Sequence, residues 1–215
     1  MFSWELFYKL PIIGILRGVA PSALYNMIPL YIDAGFTNLE ITMNSQGAVE
    51  TIKNLRSTYE GKLNIGAGTV CTQQDLQTAL EAGATYIVTP VVSEKIIALC
   101  VQQQIPIFPG AYTPTEIYTA WQAGASMVKV FPATTLGAAY IKEVKAPLNE
   151  VKLLPTGGVS AENLADFFKA GAEGVGMGSQ LFPAKLLPEE NRHELRKHFT
   201  NVYQAYEQYK RSSAK

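Results

Sequence analysis

The chain has 215 residues, 47% hydrophobic and 17% charged, with a formal net charge of zero. That balance describes a globular protein and supplies no basic excess for nucleic acid or an anionic membrane surface. Two cysteines, Cys71 and Cys100, make no disulfide framework and suit a reducing cytoplasm.

The N-terminus does not read as a signal peptide, and no apolar run approaches the ~18 residues that span a bilayer. Residues Ser3 to Leu10 read as a short amphipathic helix with Trp4, Phe7 and Tyr8 on its apolar side. Pro11 to Leu16 is an apolar strand that ends at Arg17-Gly18. Pro21 to Ala34 follows with helical spacing and stops at Gly35. Asn38 to Met43 is a second strand and Ala48 to Leu55 a second helix. The alternation continues with strands at Leu63–Gly68, Tyr86–Thr89, Ile105–Phe108, Ser126–Ala133, Val151–Leu154 and Gly174–Met177. Helices lie between them at Gln73–Glu81, Glu94–Gln102, Thr115–Gln122, Ala138–Val144 and Ala161–Lys169. Glu189 to Tyr209 is the last helix, and the tail from Arg211 to Lys215 is expected to fray.

About eight strand–helix units recur at a spacing of roughly 20–27 residues, which is the period of a repeat architecture. The helix ends repeat as well: Asp33-Ala-Gly-Phe36, Glu81-Ala-Gly-Ala84, Gln122-Ala-Gly-Ala125 and Lys169-Ala-Gly-Ala172. Strict alternation gives a parallel sheet with helices on its faces. Eight units favour a closed (β/α)₈ barrel, a TIM barrel, over an open doubly wound sheet. No linker divides the chain, so residues 1–215 are expected to form a single domain with a short N-terminal helix. No Gly-x-Gly-x-x-Gly follows the first strand, which weighs against a dinucleotide site.

The chemistry centres on Ser126-Met-Val-Lys-Val-Phe-Pro-Ala133. A buried strand does not readily carry an ammonium, since moving it out of water costs several kcal/mol unless it is paired or neutral. A desolvated lysine loses its proton more easily and becomes a nucleophile toward carbonyls. Lys129 therefore reads as a Schiff-base lysine; the plainer alternative is a strand-end lysine reaching solvent or paired with a carboxylate. In a parallel barrel the chemistry lies at the C-terminal ends of the strands. Arg17, Glu40, Thr42, Thr69, Lys129, Thr156 and Ser179 all fall at such positions. Glu40, between Leu39 and Ile41, reads either as a structural partner of Lys129 or as a proton shuttle beside it. Only His193 and His198 are present, both in the polar C-terminal helix, so neither a histidine metal site nor a histidine base is expected.

Leu154-Pro-Thr-Gly-Gly-Val159 and Val175-Gly-Met-Gly-Ser-Gln180 concentrate glycine after the last two strands, where barrels often bind phosphate. Glycines allow backbone N–H groups to approach the phosphate closely. Tight turning alone is the plainer reading. The Gly66-Ala-Gly-Thr-Val70 turn is a weaker signal of the same kind, and Cys71 beside it reads as a small packing residue.

Glu40-Ile-Thr, Gly66-Ala-Gly-Thr-Val70, Thr89-Pro90, Pro109-Gly110, Lys129-Val-Phe-Pro132, Pro155-Thr-Gly-Gly158 and Gly176-Met-Gly-Ser179 occur in this order. Together they resemble the class I 2-keto-3-deoxy-6-phosphogluconate (KDPG) / 4-hydroxy-2-oxoglutarate (KHG) aldolases, over Pro11 to about Phe182. The resemblance implies a cytoplasmic, homotrimeric lyase that uses no metal and no cofactor. It would split a phosphorylated 2-keto-3-deoxy sugar acid, KDPG, into pyruvate and glyceraldehyde 3-phosphate, and 4-hydroxy-2-oxoglutarate into pyruvate and glyoxylate. Lys129 matches the Schiff-base lysine and Glu40 the general acid/base. Arg17, Thr69 and Thr156 match substrate-binding positions, with Pro90 and Phe131 as pocket walls. Gly157, Gly158, Gly178 and Ser179 match the phosphate site. Asn44 stands where many members carry arginine. With Ile15-Leu-Arg-Gly18 it is more similar to the branch that includes the 2-keto-3-deoxy-6-phosphogalactonate aldolases. Two other classes remain as alternatives: a phosphate-binding barrel isomerase or epimerase, and a non-catalytic barrel that holds a phosphorylated metabolite.

Overall fold

The structure, a computed structural model, describes residues 1–213, with no side chain described at 21 and 22. The strands are β1 (Ile12–Leu16), β2 (Asn38–Thr42), β3 (Asn64–Gly68), β4 (Ile87–Val88), β5 (Ile107–Phe108), β6 (Gly110–Ala111), β7 (Val128–Val130), β8 (Leu153–Pro155) and β9 (Val175–Met177). The helices are α1 (Trp4–Lys9), α2 (Pro21–Asp33), α3 (Ala48–Thr58), α4 (Gln73–Glu81), α5 (Glu94–Gln102), α6 (Pro114–Gln122), α7 (Gly137–Lys145), α8 (Leu164–Lys169) and α9 (Arg192–Ser213). The expected tail begins inside α9, which continues to Ser213; Ala214 and Lys215 lie outside the described residues. Among the described residues no helix is long and apolar enough to cross a membrane.

Every strand pair is parallel. Six strands pair in the order β5-β4-β3-β2-β1-β9, and three in the order β6-β7-β8. Only Pro109 separates β5 from β6, and a proline has no N–H to give to a ladder. The expected fifth strand, Ile105–Phe108, narrows to β5, and pairing resumes past Pro109 as β6, with the carbonyls of this stretch still serving the next strand. Ser126 N donates to Ile107 O (3.0 Å) and Lys129 N to Pro109 O (2.9 Å). At the other seam Thr156 bridges Gly176 in parallel, and Glu173 N donates to Leu153 O (2.9 Å).

Side chains alternate between two apolar regions, as the two-residue period of a strand requires. Leu39, Ile41, Val128, Val130 and Leu153 pack outward under the helices. Ile13, Tyr86, Val88, Phe108, Met127 and Leu154 gather in a second cluster on the other face, with Phe7 of α1. Helix α1 is held by a polar clamp at the N-terminal ends of β2 and β3. Ser3 N donates to Asn64 Oδ1 and Asn64 Nδ2 to Ser3 O, both at 2.8 Å. Asn64 Nδ2 also reaches Asn38 Oδ1 (2.9 Å), and Asn38 Nδ2 reaches Leu10 O (2.9 Å). Phe7 is the inserted residue, whereas Trp4 and Tyr8, expected beside it, are partly exposed and stack on each other at 5.8 Å.

The four Ala-Gly junctions behave alike. Gly35, Gly83, Gly124 and Gly171 have φ of 96°, 93°, 98° and 99°. In each, the following residue bonds back to the carbonyl five residues earlier, as in Phe36 N to Tyr31 O (3.1 Å) and Ala125 N to Ala120 O (3.1 Å). This closes the helix and turns the chain into the next strand. Thr72 with Asp75, and Thr113 with Glu116, form reciprocal caps at the starts of α4 and α6, each cap contributing about 1 kcal/mol. Cys71 precedes the first of these caps and is exposed, which corrects its reading as a packing residue. Its N–H is held by Asp75 Oδ2 (3.0 Å), and its thiol faces outward.

Candidate active site

Val128 and Val130 face the helices, so Lys129 between them faces the enclosed side of the sheet. It is 5% exposed, and its Nζ stands 4.8 Å from the centroid of the Phe131 ring. Among the described residues it makes no salt bridge. Burial pushes the ammonium below the usual lysine range; the Glu40 carboxylate opposes that shift and Arg17 adds to it. The amine is therefore easier to deprotonate than a surface lysine, which is the state that attacks a carbonyl.

Glu40 faces the same interior because Leu39 and Ile41 face out. It is 1% exposed, and burial raises its pKa, opposed by the positive charges of Lys129 and Arg17. Its Oε1 has no hydrogen-bond partner. A carboxyl shifted that way holds a proton more readily than a surface glutamate, the direction a shuttle needs. Glycine makes the room. A Cβ on Gly68 would overlap the Glu40 carboxylate, and a Cβ on Gly176 would overlap Thr156 Oγ1. Both glycines lie inside strands, where a missing side chain marks the close approach of another group. Gly66-Ala-Gly68 closes β3, within the expected Leu63–Gly68 strand, and of the Gly66–Val70 stretch it is Thr69 that turns, at φ 56°.

A cleft of about 710 Å³ opens above these residues. Lys129, Phe131 and Thr156 line its depth, and Arg17, Gly157, Gly158, Gly178 and Ser179 line its walls and rim. Eight of the residues singled out in the sequence thus meet at one mouth. Glu40 lies buried beside them, while Thr69 and Pro90 are half-buried after β3 and β4 and do not line this cleft. Gly157 (φ 102°) and Gly158 (φ 71°) take consecutive left-handed conformations that a side chain would strain. Gly178 differs. A Cβ there would meet only Ile15 O, at 3.9 Å, so this glycine leaves open space in the cleft rather than relieving a clash. Ile15, Phe182 and Gln180 also line the cleft without any chemical signal in the sequence.

The loop after β2 is tied to the loop after β1. Thr42 Oγ1 donates to Leu16 O (3.3 Å) and bonds Ser45 Oγ (2.8 Å), which accepts from Gly18 N (2.9 Å). Asn44, in the loop after β2, is exposed and is not among the residues that line the cleft.

The protein-family model described as KDPG and KHG aldolase matches residues 5–198. The chain belongs to the KDPG and KHG aldolase family. It is 39% identical over 183 residues to the 2-dehydro-3-deoxy-6-phosphogalactonate aldolase of Escherichia coli K12, covering 85% of this chain and 88% of that one. It is 34% identical over 166 residues to the 2-dehydro-3-deoxy-phosphogluconate aldolase of Treponema pallidum, covering 75% and 79%. A solved structure of native KDPGal superposes with a TM-score of 0.87 at 35% identity, covering 94% of this chain and 97% of that one. Like these relatives, the protein is an aldolase, and so a lyase.

Proposed function

We propose that this KDPG and KHG aldolase family member cleaves 2-keto-3-deoxy-6-phosphogluconate to pyruvate and glyceraldehyde 3-phosphate through a Schiff base on Lys129. It also cleaves 4-hydroxy-2-oxoglutarate to pyruvate and glyoxylate. The observation that carries this reading is one buried, unpaired amine at the foot of an open cleft with a buried carboxyl beside it. The neutral amine adds to C2 of the keto acid, and the carbinolamine loses water to give a protonated iminium. The iminium is the electron sink: Glu40 takes the proton of the C4 hydroxyl, the C3–C4 bond breaks, and the aldehyde leaves. Glu40 returns that proton to C3 of the enamine, and water hydrolyses the new iminium to release pyruvate and the free lysine. No step calls on a metal or a cofactor.

In this reading Arg17 and Thr156 bind the substrate and Phe131 walls the pocket, with Thr69 and Pro90 beyond its lining in the loops after β3 and β4. The backbone of Gly157, Gly158 and Gly178, with the Ser179 hydroxyl, holds the phosphate. The open space at Gly178 supports that role. The two sheets and the bonds across both seams support a closed (β/α)₈ barrel formed by residues 1–215 as one domain. Partly exposed Val91, Val101, Tyr112 and Tyr118 leave apolar surface for two further copies in a homotrimer. The free cysteines fit the cytoplasm.

A second reading, cleavage of the galactonate epimer, is favoured by Asn44 in the exposed loop after β2 and by the 39% identity to a phosphogalactonate aldolase. Borohydride with pyruvate tests the chemistry. It should inactivate the enzyme and leave the mass of a reduced pyruvate on Lys129, and Lys129→Arg should abolish both trapping and cleavage. Activity that needs a divalent metal, with no adduct, would replace the aldolase mechanism by the isomerase class. The ratio of kcat/KM for the two C4 epimers then chooses between the substrates.

A further inference from the structure

Among the described residues two buried side-chain polar atoms lack a hydrogen-bond partner, Glu40 Oε1 and Tyr86 Oη. They lie over neighbouring positions on one face of β3, the Glu40 carboxylate over Gly68 and the Tyr86 ring over Gly66. Glu40 pairs with Gly66 across the β2–β3 ladder, and the Tyr86 ring covers Gly66 from the β4 side. A Cβ on Gly66 would strike Cζ and both Cε atoms of that ring, so the hydroxyl end lies over this point of β3. The rest of Tyr86 belongs to the apolar cluster with Phe108 and Phe7, where a phenylalanine would serve the packing equally well. A buried hydroxyl left unpaired costs about 1–3 kcal/mol, so its presence beside an equally unpaired carboxylate oxygen calls for a reason.

We propose that Tyr86 is the positioning residue for Glu40, its phenol donating to Oε1 directly or through one bound water and so fixing the proton affinity of the acid–base group. This rests on the aldolase mechanism above and adds a residue to it. The groups that face Glu40 are Lys129 from β7, Arg17 from the loop after β1 and Tyr86 just before β4; Tyr31 of α2 acts on Tyr86. Burial first, then the Glu40 and Tyr31 charges, hold the Tyr86 hydroxyl well above the ordinary tyrosine range. It is a phenol at every working pH and gives a proton bond to the ionised carboxylate. That bond favours the charged form of Glu40, against the burial that disfavours it.

Tyr86→Phe keeps the ring and removes only the donor. In the ES complex the lysine is already committed to the iminium, so the acid limb of kcat reports Glu40. The midpoint of that limb should move up by about one pH unit in Tyr86→Phe, the size of one hydrogen bond to a charged group. KM should change little. Tyr86→3-fluorotyrosine, a more acidic donor, should move it down. In a Glu40→Gln background Tyr86→Phe should change kcat less than twofold. A ¹³C NMR titration of the Glu40 carboxyl in the free enzyme should move in the same directions. A wild-type enzyme that traps pyruvate, with Tyr86→Phe leaving both the kcat profile and the carboxyl titration unmoved, overturns the role of Tyr86 and leaves the aldolase reading intact. A wild-type enzyme that traps no pyruvate removes both.

Discussion

At the scale of single residues, the site is built from absences next to charges. Glu40 can be buried beside Lys129 because Gly68 has no side chain, and Thr156 fits because Gly176 has none. Gly68→Ala should therefore displace the carboxyl and lower kcat by about a hundredfold or more, the scale of a lost acid–base group. It should also cost roughly 1–3 kcal/mol of stability, as overpacking does. Denaturant melts of Gly68→Ala, Glu40→Ala and the double variant check the cause. The double variant should regain much of the stability that Gly68→Ala loses, because the two side chains compete for one space. Additive losses would mean that the glycine serves the strand rather than the carboxyl. Lys129 and Glu40 stood out in the sequence because a charge inside a short apolar run has few explanations. Tyr86 did not, since an aromatic residue in a strand is ordinary and only its unpaired hydroxyl, visible in three dimensions, distinguishes it.

At the scale of elements, most of the chain was legible because each unit carries its own punctuation. The four Ala-Gly stops close their helices in one shared geometry, and the spans of α4 and α5 match the sequence reading residue for residue. Departures occur where a local signal has two outcomes. The expected fifth strand stops at Phe108, yet the chain resumes pairing beyond Pro109 as β6. The polar stretch from Arg211 suggests fraying, but helix propensity carries α9 to Ser213. Phase information was also lacking: periodicity gave α1 an apolar side without saying that Phe7 alone would be inserted. The clamp that holds α1 is remote from the cleft, so it separates folding from function. Asn64→Ala removes the bonds to Ser3 and Asn38 and should cost about 1–3 kcal/mol. Thermal melting should register that loss while kcat and KM remain at wild-type values.

At the scale of the whole molecule, neutral net charge leaves attraction of an anionic substrate to local groups. Arg17 at the mouth and the glycine-rich rim are where those groups stand. The exposed apolar side chains that support a homotrimer predict three chains per particle by light scattering at micromolar concentration; a monomer there would remove that proposal.

Helix α1 and the aromatic layer above it have one further effect. In the proposed closed barrel, Phe7, Phe108 and Tyr86 fill the lower interior and leave the mouth as the way into the cleft. Whatever enters first must leave last. In the proposed reaction the pyruvate half is tethered at the foot and the phosphorylated half rests at the lip, so the aldehyde has to depart before hydrolytic water can descend to the lysine. Traffic through the cleft, and not only the chemistry at its foot, then sets the sequence of product release: aldehyde first, pyruvate second. In the synthetic direction the same geometry makes pyruvate the first substrate to bind.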